Sequence, residues 1–265
     1  MITSITDQIR FQTADLPPKA ESIRTEVRDF LELELSKISP VKRSHSWEAY
    51  DPDFSAKLGE KGFIGMTLPT KYGGHGKTFL ERYVVVEECL VAGAPTAFHW
   101  VADRQSGQLL VKYGTEEQKK EIIPKITAGK ACFAIGMSEP NSGSDLASLR
   151  CKAEKTSNGW LINGTKIWTS NAHRADYMIA LFRTDPDLNK KHGGLSQFLI
   201  DLKAANGITP RPIKNLAGGE NFNEVSFVDV EIPEESLIGP EGNGWKQCTE
   251  ELALERSGPE RYLSC

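Results

Sequence analysis

An α+β chain is predicted, on three observations. Apolar residues recur at helical spacing through residues 17–128, the period changes to alternation at Ala131, and helical spacing returns after Gly244. That order predicts an all-helical N-terminal domain over 1–128 and a middle domain of antiparallel strands, a barrel or sandwich, over 129–240. Residues 241–265 then form one further helix.

Pro17 and Pro18 lead into a helix whose Ile23, Val27, Phe30, Leu31 and Leu35 make one apolar face. Asp51 or Asp53 caps a second helix carrying Phe54 and Leu58, which Gly62 stops. Phe63 to Gly76 is a glycine-rich loop. As structure it is a tight connection needing left-handed backbone; as function, a phosphate cradle that lacks its feeding strand. Leu80–Val91 and Thr96–Tyr113 are two further helices. His99 in the second has the ordinary use of a core imidazole or, alternatively, a chemical one. Thr115, Glu116, Glu117 and Gln118 form a capping box into Ile122, Ile123 and Ile126.

Strands are expected at Phe133–Met137, Trp160–Ile162, Lys166–Ser170, Tyr177–Phe182, Gln197–Leu202 and Val225–Ile232. Asn163-Gly164 is a favoured two-residue turn, so Trp160–Ile162 and Lys166–Trp168 are expected to pair as a hairpin across it. Thr184–Gly194 is expected as a mobile surface loop. In the final helix Trp245, Cys248, Leu252 and Glu255 with Arg256 fall on one face, and Pro259 would kink it by leaving the Glu255 carbonyl unbonded.

The 265 residues, 39% hydrophobic and 26% charged, have an ordinary globular composition. A net charge of −4 gives no electrostatic reason to expect nucleic acid or an anionic membrane as partner. The opening residues, with Asp7 and Arg10, hold no apolar signal core, and no run approaches the roughly twenty apolar residues of a membrane span. The five cysteines are scattered, without a CxxC pair or a His/Cys cluster, which argues against a metal centre or disulfide framework. A reducing, cytoplasmic setting is expected.

The chemistry-bearing stretch is Ala131–Ser170. An apolar strand ends at Met137, the turn SEPNSGSD follows, and Trp168, Thr169 and Ser170 close the segment. Hydroxyls and backbone N–H groups at a strand end, a glycine permitting close approach, and an indole suit a flat, polar-edged aromatic ligand with a phosphate tail. Each residue alone also has a bland use, the serines in turns and Trp168 in a core.

In order along the chain, LPTKYGGHG, YGTEEQKKEIIP, MSEPNSGSDL, NGTKIWTSNAHRADYMIALFRT, FNEVSFVDVEIPEESLIG, GNGW and LALER resemble the flavin-dependent acyl-CoA dehydrogenases. The resemblance implies a helical domain, a β domain and a C-terminal helical bundle of which only the first helix is present. It implies FAD as cofactor, an acyl-CoA thioester dehydrogenated to the trans-2-enoyl-CoA in fatty-acid β-oxidation, and an electron-transfer flavoprotein as electron acceptor. By the same resemblance Met137 and Ser138 meet the flavin pyrimidine, Gly143 and Ser144 the pyrophosphate and nearby substrate, and Trp168 the flavin rings. Thr169 and Ser170 lie near N5. Serine at 138 and 170, where many relatives carry threonine, keeps the hydroxyl and loses the stiffness of β-branching.

The catalytic base of most family members lies in the part of the bundle absent here; a minority place it on the first helix, where Glu255 of LALER stands. The alternative use of Glu255 is a solvated helix position. Arg256 matches a position that contacts the CoA portion; its alternative is a surface ion pair with Glu260. The chain is read as a fragment, or as one completed by a partner as a homo- or hetero-oligomer, because Trp245, Leu252 and Leu254 would otherwise be exposed, and weak flavin affinity is expected of it. An acyl-CoA oxidase-like flavoenzyme and a non-catalytic acyl-CoA- or partner-binding subunit are the competing readings.

Overall fold

The computed structural model describes residues 15–258, so Pro259 and Glu260 lie outside the described residues. The helical part comprises α1 (Pro18–Glu21), α2 (Arg24–Leu35), α3 (Pro40–Ser44), α4 (Pro52–Glu60), α5 (Phe79–Val91), α6 (Gly107–Tyr113) and α7 (Glu116–Thr127). Asp51 caps α4 by accepting from the Phe54 N–H at 2.9 Å, and Thr115 with Gln118 closes the expected capping box on α7. Upstream of α6, Ala102–Ser106 form a π-helical turn in place of the regular helix that periodicity predicts.

Seven strands follow: β1 (Phe133–Gly136), β2 (Lys152–Thr156), β3 (Gly159–Ser170), β4 (Tyr177–Arg183), β5 (Leu195–Asp201), β6 (Ile208–Ile213) and β7 (Phe222–Ile232). They make one sheet in the order β1-β4-β2-β3-β7-β6, with β5 also on β4. Pairing is antiparallel except where β4 meets β1 and β2 in parallel. The sheet has cores on both faces. Phe133 and Ile179 pack with the helical core of Phe30, Leu58, Ile64 and Ile126, while Phe182, Phe198, Phe227 and Trp160 fill the other side. Burial on both faces is why Tyr177–Arg183 reads as a nearly unbroken apolar run.

The expected hairpin across Asn163-Gly164 does not form. Both residues lie within the continuous twelve-residue β3, and the true hairpin turn is Ser157-Asn158, between Thr156 and its partner Gly159. Asn163-Gly164 instead faces a bulge in β7 at Asp229, a left-handed residue whose N–H donates to Asn163 Oδ1 at 2.9 Å. Glycine is required at 164 because a Cβ there would lie 2.3 Å from Cys151 Sγ.

The glycine-rich loop is structural. Gly65 N–H donates to the buried Asp103 carboxylate at 2.7 Å, Arg82 Nε donates to the same carboxylate at 2.7 Å, and other loop amides bond back onto the loop itself. His99 is likewise a core group, its Nδ1 2.7 Å from Ser55 Oγ, with burial pushing its pKa down to about 4. The chain ends its described course in α8 (Gly244–Ser257), which packs on β5 and on the π-helical turn. The Trp245 indole is stacked on His192 of the 184–194 loop at 4.2 Å, so this loop covers one of the three residues expected to be bare. Among the described residues no helix is long and apolar enough to cross a membrane.

Candidate functional site

A cavity of about 480 Å³ opens between the helical part, the sheet and α8. Its walls come from distant segments: Trp47 and Glu48 before α4, Trp100, Arg104 and Gln105 around the π turn, Met137, Ser138, Gly143 and Leu146 after β1, the end of β3, and Leu252, Glu255 and Arg256 of α8. Across its mouth Asn221 donates to Glu48 Oε2 at 3.0 Å.

The SEPNSGSD turn and Trp168 share this cavity. Ile167 N–H donates to the Ser138 carbonyl at 2.9 Å, tying the turn to β3. A second tie is buried between them. Lys166 Nζ, wholly inaccessible, donates to the Met137 carbonyl at 3.0 Å and to Glu139 Oε1 at 2.9 Å. Glu139 also accepts from the N–H groups of Arg150 (2.7 Å) and Cys151 (2.9 Å). Burial works against the Glu139 charge, but the Lys166 ammonium and the Arg150 N–H outweigh it and hold the carboxyl below its ordinary value. Sequence reasoning missed this pair; the available signal was a lysine on the core phase of a strand, where a charge needs a partner.

The end of β3 carries a bulge. Lys166 pairs with Val225 and Thr169 with Asn223, so three steps on β3 match two on β7, and Trp168 has a left-handed backbone (φ 61°). The extra residue leaves both Ile167 and Trp168 on the cavity wall. The Trp168 indole is 58% exposed and meets the Phe222 ring edge-on at 6.1 Å. A left-handed non-glycine backbone is costly and is kept where the surrounding structure enforces it, commonly at binding sites.

Of the residues expected at the site, Met137, Ser138, Gly143, Trp168, Ser170, Glu255 and Arg256 line the cavity. Gly143 has open space where a Cβ would stand. Thr169 is not among the residues lining the cavity: its side chain is fully buried, and its carbonyl accepts from Asn223 Nδ2 at 3.0 Å. Ser144 is exposed outside the cavity wall. Residues the sequence did not single out add to the wall, among them Trp47, Arg104, Gln105, Asn171 and Asn221. The Arg104 guanidinium sits 5.7 Å from the Trp100 ring. The arrangement joins a half-buried carboxylate, two guanidinium groups, broad aromatic faces and an apolar floor of Ile135, Met137 and Leu146.

Comparison with known proteins gives a consistent result. Residues 17–130 match the sequence profile described as "Acyl-CoA dehydrogenase, N-terminal domain", and residues 134–230 that of the "Acyl-CoA dehydrogenase, middle domain". "Acyl-CoA dehydrogenase FadE26" of Mycobacterium tuberculosis is 32% identical over 246 residues, covering 90% of this chain and 60% of the relative. Among solved structures, an acyl-CoA dehydrogenase from Geobacillus kaustophilus superposes with a TM-score of 0.82 at 30% identity, covering 92% of this chain and 64% of that one. The "Tcur3481-Tcur3483 steroid ACAD" superposes with a TM-score of 0.81 at 34% identity, covering 92% and 64%. The chain thus spans about 60% of the length of the FadE26 relative.

Proposed function

The chain belongs to the acyl-CoA dehydrogenase family, and from that premise we propose that its cavity holds FAD and an acyl-CoA thioester for α,β-dehydrogenation to the trans-2-enoyl-CoA. An electron-transfer flavoprotein then takes the electrons. The observation that carries this reading is the convergence of the SEPNSGSD turn, the exposed Trp168 indole and Glu255 on one cavity.

The residues present fit the cofactor. An indole face open by 58% is the surface an isoalloxazine would cover, and open space above Gly143 lets a ligand approach the backbone. Ser138, its carbonyl already engaged by Ile167, offers its hydroxyl, and Ser170 offers a second. Bound there, FAD would supply the hydride acceptor. Glu255 takes the α-proton onto a carboxylate oxygen, and the electron pair of that C–H bond becomes the new π bond as the β-carbon loses its hydrogen together with the bonding pair. Arg256, at the cavity rim, is the cation for the CoA phosphates. Walls of Ile135, Leu146 and Leu252 keep water from the reacting carbons.

The boundaries near residues 128 and 240 are part of the proposal, supported by the change from helix to sheet and back. Free, buried thiols at Cys89, Cys132, Cys151 and Cys248 support a reducing, cytoplasmic setting.

The test has two readouts. Titration of FAD into the chain should quench flavin fluorescence, with the Trp168→Ala variant weaker by about tenfold, the worth of one aromatic stacking contact. Turnover of an acyl-CoA with an artificial electron acceptor should vanish in Glu255→Gln. Unchanged FAD affinity in the first variant, or unchanged turnover in the second, would overturn the reading. Peroxide formed in air after reduction by substrate would mark an oxidase-like relative instead.

A further inference from the structure

Where β3 ends, Trp168 (φ 61°) and Asn171 (φ 55°) both have left-handed backbones although neither is glycine. Such backbones persist where neighbouring structure holds them. The hold comes from residues 221–223, where β7 begins. The Asn171 N–H donates to the Asn221 carbonyl at 2.7 Å, and the Phe222 ring meets the Trp168 indole edge-on. Between the two left-handed residues, the Thr169 carbonyl accepts from Asn223 Nδ2 at 3.0 Å. Asn223 is wholly inaccessible, and both ends of its amide are engaged. A carbonyl only accepts, so the amide nitrogen faces Thr169. Asn223 Oδ1 then accepts from His173 Nδ1, 2.9 Å away, and that ring nitrogen carries the hydrogen. His173 thereby fixes which way the amide points.

Resting on the reading of Trp168 as the contact to the flavin rings, we propose that Asn223 is a positioning residue. It holds the left-handed backbone at Trp168 and so presents the indole face to the flavin, without touching the ligand itself. Neither Asn223 nor His173 lines the cavity, so both act through Trp168. An amide is the side chain this place requires, because it must donate on one side and accept on the other. Aspartate could accept from His173 but has no hydrogen for the Thr169 carbonyl, and leucine, of similar size, serves neither. Stranding a buried carbonyl and a ring N–H is costly. The end of β3 relieves that cost by exchanging the left-handed residue for plain extended backbone, and the indole then no longer stands where it does.

The full chain with ¹⁵N-labelled indoles tests this before any flavin is added. The Trp168 and Trp160 signals are assigned by their loss in Trp168→Ala and Trp160→Phe. Trp160, buried on the same strand, reports whether the sheet is intact. In Asn223→Leu the Trp168 signal is expected to move while that of Trp160 stays. His173→Ala, at a half-buried position, releases the amide and should move the Trp168 signal the same way by less. Titration with FAD then reads the consequence. Asn223→Leu should weaken binding by about tenfold, as far as Trp168→Ala does, and the two changes together should cost no more than Trp168→Ala alone. A Trp168 signal unmoved in these variants, a Trp160 signal that moves as far, or affinity losses that multiply in the double variant would overturn the inference. Should Asn223→Leu fail to fold, an unmoved Trp168 signal in His173→Ala overturns it alone. Failure of FAD to bind the unaltered chain would remove the proposed cofactor and leave the indole signals to decide what Asn223 holds.

Discussion

Replacing Lys166 with methionine tests the device that joins the SEPNSGSD turn to β3. Lys166 is fully buried and Glu139 nearly so, and the substitution leaves the Glu139 carboxylate with the N–H groups of Arg150 and Cys151 but without a counter-charge. Breaking one side of a buried ion pair costs about 3–5 kcal/mol. For a chain of this size that corresponds to a fall in Tm of about 6–20 °C, at roughly 2–4 °C per kcal/mol. Urea unfolding followed by circular dichroism gives the free energy if the slope with denaturant is unchanged. The double variant Lys166→Met with Glu139→Gln should recover most of the loss, because neither charge is then stranded. The unaltered chain also carries a pH signature. Since the folded-state pKa of Glu139 is depressed, its contribution is present above the ordinary carboxylate value of 4.5 and is lost as pH falls through the folded value. A Lys166→Met variant within about 1 kcal/mol of the parent, or a double variant as costly as its two parts summed, would refute the argument.

Two further outcomes follow from the same geometry. His99, buried with a pKa pushed down to about 4, takes up a proton in the unfolded chain long before it does so in the folded one. Stability should therefore drain as pH falls from about 6.5 to about 4, by roughly 3 kcal/mol for this group, and Glu- and Asp-matched urea curves should show His99→Gln losing that component. Gly164→Ala places a methyl group 2.3 Å from Cys151 Sγ on a left-handed backbone, and should cost about 2–4 kcal/mol in thermal unfolding. A neutral Gly164→Ala would mean that β2 and β3 approach less closely than described.

The helical part was legible because its signals are local: Asp51 caps α4, Thr115 and Gln118 box α7, and Val27, Phe30 and Leu31 repeat at the helical period. The strands that escaped notice carry the wrong local chemistry. β6 holds Pro210 and Pro212, tolerated on a strand at the end of the sheet, and β2 is largely exposed and charged. Asn163-Gly164 was misread because the pair that favours a tight turn also favours a bulge partner; only the register of β7 separates the two. At the site, the turn and Trp168 could be named from order along the chain, but Thr169 could not be placed. Strict alternation fails once an extra residue enters the strand. Nor could periodicity separate Glu255 from Glu251, since both follow the same helical spacing and only the packing of β5 and the π turn seals one and leaves the other in the cavity.

The bulge at Trp168 makes the end of β3 act like a ratchet with one surplus tooth. Deleting Ile167 or Trp168 would restore plain alternation, leaving Thr169 inward opposite Asn223 and Ser170 on the cavity side, but with one side chain on the wall where two now stand. Length is therefore held more tightly than identity at this spot, and a chain one residue shorter there would keep its sheet while presenting a different lining to whatever enters.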